Sequence, residues 1–157
     1  MSEPRVAVVM GSDSGWPVMQ EAVAAVAEFG VGCTADVVSA HRMPEETTAY
    51  ARTARGRGLK VIIALAGLAA HLPGVVASHT TIPVLGVPLS GGVMGGLDAL
   101  LSIVQMPGGV PVGCLALDKQ GARNAAVLAA QILGLSDPDV AARLDVLKED
   151  LARGETI

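Results

Sequence analysis

Residues 5–16 read RVAVVMGSDSGW, and this stretch decides the fold class of the chain. The β-branched apolar run at 5–10 predicts a strand that is buried on both faces. Small residues at 11–15 predict a tight loop, and the Ala-rich stretch at 16–29 predicts a helix. A strand that passes through a short loop into a helix is the first half of a parallel βαβ unit.

The same alternation of apolar runs and helical stretches continues along the chain. Further strands are predicted at 34–38, 60–64, 82–87 and 110–116, and further helices at 44–55, 69–78, 97–105, 121–133 and 138–153. This alternation favours an α/β fold with a central parallel sheet, and the length suits one domain over 1–157. Asp137 is the predicted N-cap of the last helix.

The composition excludes several function classes. Apolar residues make up 51% of the chain and charged residues 17%, which excludes a disordered segment. A net charge of −4, with one Trp, one Tyr and one Phe, argues against a nucleic-acid surface. The N-terminus lacks the pattern of a signal peptide and prolines interrupt every apolar span, so a cytoplasmic protein without a membrane helix is expected. Cys33 and Cys114 lie apart in apolar runs and are predicted to be buried, reduced thiols.

The middle of the chain is almost free of charge. Between residues 61 and 117 the only Asp, Glu, Lys or Arg is Asp98, and the helix at 97–105 is apolar on nearly all sides. Such a helix would leave an apolar patch on a lone small domain, so an obligate homo-oligomer is expected. The alternative is a helix buried inside one monomer, which a stable monomer in light scattering would favour.

Ligands of parallel α/β sheets bind at the carboxyl ends of the strands, so the loops there are the candidate site. After the first strand, Ser12, Ser14 and Gly15 lie in a loop that opens a helix and has the character of a phosphate cradle. The loop has neither the ending of a triphosphate-binding loop nor the spacing of a dinucleotide fingerprint. A helix cap without a ligand is therefore the alternative.

The loop after the second strand contains Ser39, Ala40, His41 and Arg42. A guanidinium presents a planar fork of donors that suits phosphate, and an imidazole exchanges protons near neutral pH. Either side chain alone would more often be a structural hydrogen-bonding group. Their adjacency, level with the serine loop, favours a functional role.

The loop after the third strand contains Ala66, Gly67, Leu68 and His71. The alternative for His71 is a core histidine bonded to a backbone carbonyl, and His79 is predicted to lie on the surface. The three loops offer no acid cluster for a metal and no Ser or Cys nucleophile paired with a base. They indicate metal-free proton transfer on a small phosphorylated molecule.

Six segments, in order, carry a resemblance to a known family. They are GSDSGW (11–16), SAHRMPE (39–45), AGLAAHLPG (66–74), PVLGVP (83–88), GLDALLSIVQMPGGVPV (96–112) and NAAVLAAQIL (124–133). They closely resemble the PurE family of purine biosynthesis. The SAHR and AAHLPG forms are similar to those of the bacterial class I enzymes, the 5-(carboxyamino)imidazole ribonucleotide mutases, and differ from the class II form.

The resemblance implies a flavodoxin-like three-layer αβα sandwich, assembled as a homo-octamer without a cofactor. The family reaction moves a carboxylate of the ribonucleotide substrate from the exocyclic nitrogen to a ring carbon, through decarboxylation and recarboxylation. By its match in SAHR, His41 would be the general acid and base.

The resemblance also assigns the remaining site residues. Ser12, Ser39 and Arg42 match positions that hold the ribose phosphate, with Ser14 and Ala40 beside them. The backbone of Ala66, Gly67 and Leu68 and the side chain of His71 would line the pocket for the base and carbon dioxide. Residues 102–107 would contribute from a neighbouring subunit.

The chain departs from the family pattern at three positions. Gly15 replaces an Asp that contacts the substrate sugar, and Leu65 and Leu68 replace glycines of the pocket wall. A catalytically weak or silent paralogue that binds a phosphorylated nucleotide is therefore an alternative function. A flavin-binding flavodoxin-like protein is another, although its flavin ring usually needs aromatic cover.

Overall fold

The computed structural model describes residues 3–155 of the chain. Within this range the strands are β1 (Pro4–Met10), β2 (Gly32–Val37), β3 (Val61–Gly67), β4 (Val84–Leu89) and β5 (Gly113–Cys114). The helices are α1 (Trp16–Glu28), α2 (Pro44–Thr53), α3 (Leu72–His79), α4 (Leu97–Val104), α5 (Asp118–Gly134) and α6 (Pro138–Ala152). Short 3-10 helices at Asp13–Gly15 and Val93–Gly96 precede α1 and α4.

The sheet is parallel throughout, with the strand order β2-β1-β3-β4-β5. This is the flavodoxin-like order, in which the direction of strand addition across the sheet reverses between β1 and β3. At such a point the loops of neighbouring strands diverge to opposite faces and leave a crevice at the carboxyl edge. The topology therefore places the ligand crevice over the ends of β1 and β3.

Two apolar cores cover the two faces of the sheet. Successive side chains of a strand point to opposite faces. Val6 and Val8 belong to the core under α1, α5 and α6, whereas Ala7 and Val9 belong to the core under α2, α3 and α4. The predicted α/β class and the three-layer sandwich are confirmed. Among residues 3–155, no helix combines the length and the apolarity needed to span a bilayer.

The boundaries of β3 and α3 differ from the predicted ones. β3 continues to Gly67, so Ala66 and Gly67 lie on the strand and not in the loop after it. α3 begins at Leu72, three residues later than predicted. The reason is Leu68, whose left-handed backbone (φ 57°) fits neither a strand nor a right-handed helix.

β5 and α5 also differ from prediction. Only Gly113–Cys114 of the predicted strand 110–116 pairs with β4. Pro111 has no N–H to donate to a neighbouring strand, and β5 lies at the sheet edge, where only one side of it can pair. α5 begins at Asp118, three residues before its predicted start at Gly121. β2 likewise begins earlier than predicted, at Gly32.

The two cysteines are half-buried, not fully buried as predicted. Both thiols are free. Burial raises the pKa of the Cys33 thiol and the pKa of the Cys114 thiol. Both are therefore protonated at neutral pH, which makes them poor nucleophiles.

The apolar helix α4 is buried on one side only. Ala99 and Ile103 are fully buried, whereas Leu97, Leu101 and Val104 are 37%, 48% and 49% exposed. In the 3-10 turn before it, Val93 and Met94 are 67% and 77% exposed. These five exposed side chains form what we call the α4 patch. The helix is thus not buried inside one monomer.

Asp137 ties α6 to the first strand. Its carboxylate accepts from the N–H groups of Asp139 and Val140, which confirms the predicted N-cap. The Nη1 atom of Arg5 donates to it at 2.6 Å. This bond from Arg5, with the capping bonds, lowers the pKa of the Asp137 carboxyl below its ordinary value.

Asp137→Asn is expected to lower the melting temperature at neutral pH, because the amide keeps the cap but loses the ion pair with Arg5. A depressed pKa contributes stability that is complete above the unfolded-state pKa, near 4, and is lost as the pH falls through the folded-state value. The gap between the two proteins should therefore be constant above about pH 5 and should close in acid. Thermal unfolding followed by circular dichroism measures it, and a gap independent of pH would contradict the assignment.

Candidate active site

A cleft of about 790 Å³ opens at the carboxyl ends of the strands. Every residue predicted for the site lines it: Ser12, Ser14, Gly15, Ser39, Ala40, His41, Arg42, Ala66, Gly67, Leu68 and His71. Ala66 and Gly67 lie at the carboxyl end of β3, and the other residues follow β1, β2 and β3, which are neighbours in the sheet. Loops that are distant in sequence therefore meet at one place.

The loop after β1 forms one wall of the cleft. The Ser12 and Ser14 hydroxyls lie 2.7 Å apart and share a hydrogen bond. Gly15 is buried, and its N–H donates to the Ser12 carbonyl at 3.2 Å. The loop leads directly into α1, whose N-terminal dipole favours an anion. Two hydroxyls beside a helix N-terminus are suited to hold a phosphate group.

Arg42 connects the loop after β2 to the loop after β1. Its Nε donates to the buried Ser39 hydroxyl at 3.2 Å, and its Nη2 donates to the Gly11 carbonyl at 2.5 Å. A guanidinium carries five N–H donors, and Nη1 has no partner within residues 3–155. The side chain is thus held in place while part of its donor fork remains available for an anion.

The two candidate imidazoles are in contact. His41, after β2, and His71, after β3, approach with 2.7 Å between Nε2 and Nδ1. Their rings meet edge to face, with centroids 4.9 Å apart and an interplanar angle of 88°. A hydrogen bond of this length requires one nitrogen to carry the proton and the other to accept it. The hydrogen bond therefore couples the tautomers of the two rings and holds the His41 ring in its orientation. His79, the last residue of α3, does not line the cleft.

The β3 end supplies a strained apolar rim. Leu68 has φ 57° and is 61% exposed. Left-handed backbone costs an ordinary L-residue about 1–2 kcal/mol. A glycine at this position would avoid the cost. Leu68 therefore occupies a turn whose backbone conformation favours glycine.

Sequence reasoning missed Asp118, the first residue of α5. Among the residues that line the cleft, Asp118 is the only carboxylate and Arg42 the only cation other than histidine. The Ser90 N–H donates to Asp118 Oδ1 at 2.9 Å. A signal was present, because Asp118 directly follows the apolar run of the fifth strand, at the same end of the sheet as the other loops.

The donor set of the cleft suits an anionic organic molecule. Within residues 3–155, no three side chains of the metal-ligating types converge. Trp16, Phe29 and Tyr50 do not line the cleft, so a flavin ring would find no aromatic cover from them. The cleft offers hydroxyls and a guanidinium to bind an anion. It also offers two coupled imidazoles to carry a proton, and an apolar rim.

Comparison with known proteins agrees with this geometry. The sequence model of the AIR carboxylase family matches residues 5–154. An N5-carboxyaminoimidazole ribonucleotide mutase of Mycobacterium tuberculosis is 56% identical over 149 residues, which cover 95% of this chain and 84% of that protein. The mutase of Bacillus subtilis is 53% identical over 148 residues, covering 94% and 91%. The crystal structure of Treponema denticola PurE superposes with a TM-score of 0.87 at 25% identity, covering 96% and 93%. The chain therefore belongs to the AIR carboxylase family, and its resemblance to class I PurE proteins is confirmed.

Proposed function

We propose that the protein interconverts 5-(carboxyamino)imidazole ribonucleotide and 4-carboxy-5-aminoimidazole ribonucleotide. Relatives that are 50–56% identical over nearly the whole chain carry the name of this mutase. The observation that carries the proposal is the His41–His71 pair, 2.7 Å apart, in the same cleft as Ser12, Ser39 and Arg42. A proton carrier beside an anion site is what an isomerisation of a phosphorylated molecule requires.

The proposed reaction balances without an external reagent. The bond between the carboxylate carbon and the exocyclic nitrogen breaks, carbon dioxide forms, and His41 gives a proton to that nitrogen. The ring carbon then attacks carbon dioxide, a carbon–carbon bond forms, and His41 removes the proton from that ring carbon. His41 ends in its starting state, and the hydrogen bond to His71 holds its ring in place between the two transfers.

Ser12, Ser14, Ser39 and Arg42 are proposed to hold the phosphate, with Ala40 beside them. Anchoring this remote group leaves the imidazole ring free to lie against His41, and positioning of this kind contributes strongly to rate. The backbone of Ala66, Gly67 and Leu68 would form the wall that keeps carbon dioxide near the ring carbon. A dry apolar wall limits its loss to water.

A labelling experiment tests the proposal. Substrate with a ¹³C-labelled carboxyl group is incubated with the protein in unlabelled bicarbonate, and carbon NMR follows the label. We expect the label to appear on the ring carbon of the isomer, with retention that exceeds equilibration with the bicarbonate pool. Binding without conversion would favour the silent paralogue, for which the missing side chain at Gly15 is the supporting observation.

Assembly into a homo-octamer is part of the proposal. The α4 patch exposes five large apolar side chains, and a patch of this kind on a soluble protein marks an interaction surface. Light scattering should give a mass near eight chains at neutral pH. Leu101→Glu should shift the protein toward smaller species, because it would place a charge in a dry interface. A wild-type protein that stays monomeric would contradict the proposal.

A single domain, a cytoplasmic location and the absence of a cofactor remain predictions. Purified protein without a visible absorption band would agree with the last of these, whereas a yellow protein would favour the flavin alternative.

A further inference from the structure

The cleft is electrically polarised along the edge of the sheet. The Arg42 guanidinium donates to the Gly11 carbonyl just after β1, while the Asp118 carboxylate accepts from the Ser90 N–H just after β4. β3 lies between β1 and β4, so the cation and the anion lie toward opposite sides of the cleft. A phosphate at the Arg42 side is therefore held away from the Asp118 carboxylate.

The Asp118 carboxylate is bonded to the loop after β4 and keeps one oxygen available. Its Oδ1 accepts from the Ser90 N–H at 2.9 Å, whereas Oδ2 has no partner within residues 3–155. Its backbone is left-handed, with φ 51°, which Asp and Asn tolerate better than other non-glycine residues. A fixed carboxylate with an available acceptor is suited to bind hydroxyl groups, because an ionised carboxylate only accepts.

Gly15 and Leu89 line the cleft together with Asp118. A Cβ placed on Gly15 would lie 3.4 Å from Leu89, the residue that precedes Ser90. Gly15, in the loop after β1, thus contributes no side chain to this part of the cleft. The polar side-chain atoms here come from Asp118. Ribose is the neutral, hydroxyl-bearing part of a ribonucleotide, and carboxylates at strand ends bind ribose hydroxyls in other α/β proteins.

We propose that Asp118 accepts hydrogen bonds from the ribose hydroxyls of the substrate and sets a preference for ribonucleotides over 2′-deoxyribonucleotides. The inference rests on the proposed function, since it takes the phosphate to lie at the Arg42 side. Asp118 is a binding residue in this scheme and takes no part in the proton transfers of His41.

Asp118→Asn tests the proposal, because asparagine keeps both the left-handed backbone and an acceptor for the Ser90 N–H. The substrates are 4-carboxy-5-aminoimidazole ribonucleotide and its 2′-deoxy analogue. The wild type should prefer the ribose form in kcat/KM, and the variant should lose roughly ten-fold of that preference through KM, with kcat little changed. Asp139→Asn, a carboxylate in the first turn of α6 and outside the cleft, is the matched control and should behave as the wild type.

A second variant covers the case in which Asp118→Asn fails to fold. Asp118→Gly removes the carboxylate and suits the left-handed backbone, so it should fold and lose the preference as well. Equal losses for both substrates, or no loss, would overturn the proposal and leave Asp118 as a loop cap. If the wild type converts neither nucleotide, the proposed function fails. Calorimetric binding of the same two nucleotides to the wild type and Asp118→Asn then still decides the role of Asp118, by the same preference in Kd.

Discussion

His41→Asn is expected to lower kcat by about 10²–10⁴-fold or more, because a positioned general acid and base contributes a factor of this size. Two proton transfers in the proposed reaction depend on the same ring, and asparagine exchanges no protons near neutral pH. Substrate affinity should stay within a few-fold of the wild type, since Ser39 and Arg42 bond to each other and to the Gly11 carbonyl without His41. The isomerisation rate and calorimetric binding measure the two effects separately.

His79→Asn is the matched control for this experiment. His79 ends α3 outside the cleft, so the same chemical change should leave kcat near the wild-type value. Light scattering of both variants shows whether assembly is unchanged. Full turnover by His41→Asn would remove His41 from the mechanism, whereas a loss shared by His79→Asn would indicate a general effect on the fold.

The fold class could be predicted because each βα unit carries its own local signal. Residues 5–16 alternate from a buried strand to a helix within one short stretch, and the pattern recurs along the chain. The strand order is not a local property, so periodicity alone could not supply it. β5 was overestimated because an apolar run such as 110–116 resembles a strand whether or not it pairs, and pairing is limited here by Pro111 and the sheet edge.

The location of the site was predictable for a related reason. Parallel strands end at a common edge, so the loops holding Ser12, His41 and His71 had to lie on one side of the sheet. The hydrogen bond between His41 and His71 was not predictable, because it depends on the two loops meeting over the end of β1. Asp118 was missed because the predicted helix began at Gly121 and left residues 117–120 as an uninterpreted connection.

Gly121 is the position where an added methyl group should be most damaging to the fold. A Cβ there would lie 1.7 Å from the Ala116 carbonyl oxygen and 2.9 Å from a methyl of Val87. The nearest atom belongs to the backbone, so no side-chain rotation relieves the overlap, and the start of α5 must move away from the sheet. Gly121→Ala is expected to lower the free energy of unfolding by about 3 kcal/mol or more, at the upper end of overpacking costs.

The sign of this effect is what makes the experiment decisive. In an exposed helix, replacing glycine with alanine stabilises by about 1 kcal/mol, because alanine is the better helix former. A net loss of stability would mean that the steric overlap with Ala116 outweighs the higher helix propensity of alanine. Urea unfolding at matched protein concentration measures the free energy of unfolding of both proteins. Gly56→Ala is the control, since its Cβ would meet only the Thr53 carbonyl at an ordinary 3.5 Å and should change stability little. A Gly121→Ala protein as stable as the wild type would show that α5 does not begin against the end of the sheet. The Asp118 carboxylate would then lose its defined place in the cleft, because it stands on the same turn of α5.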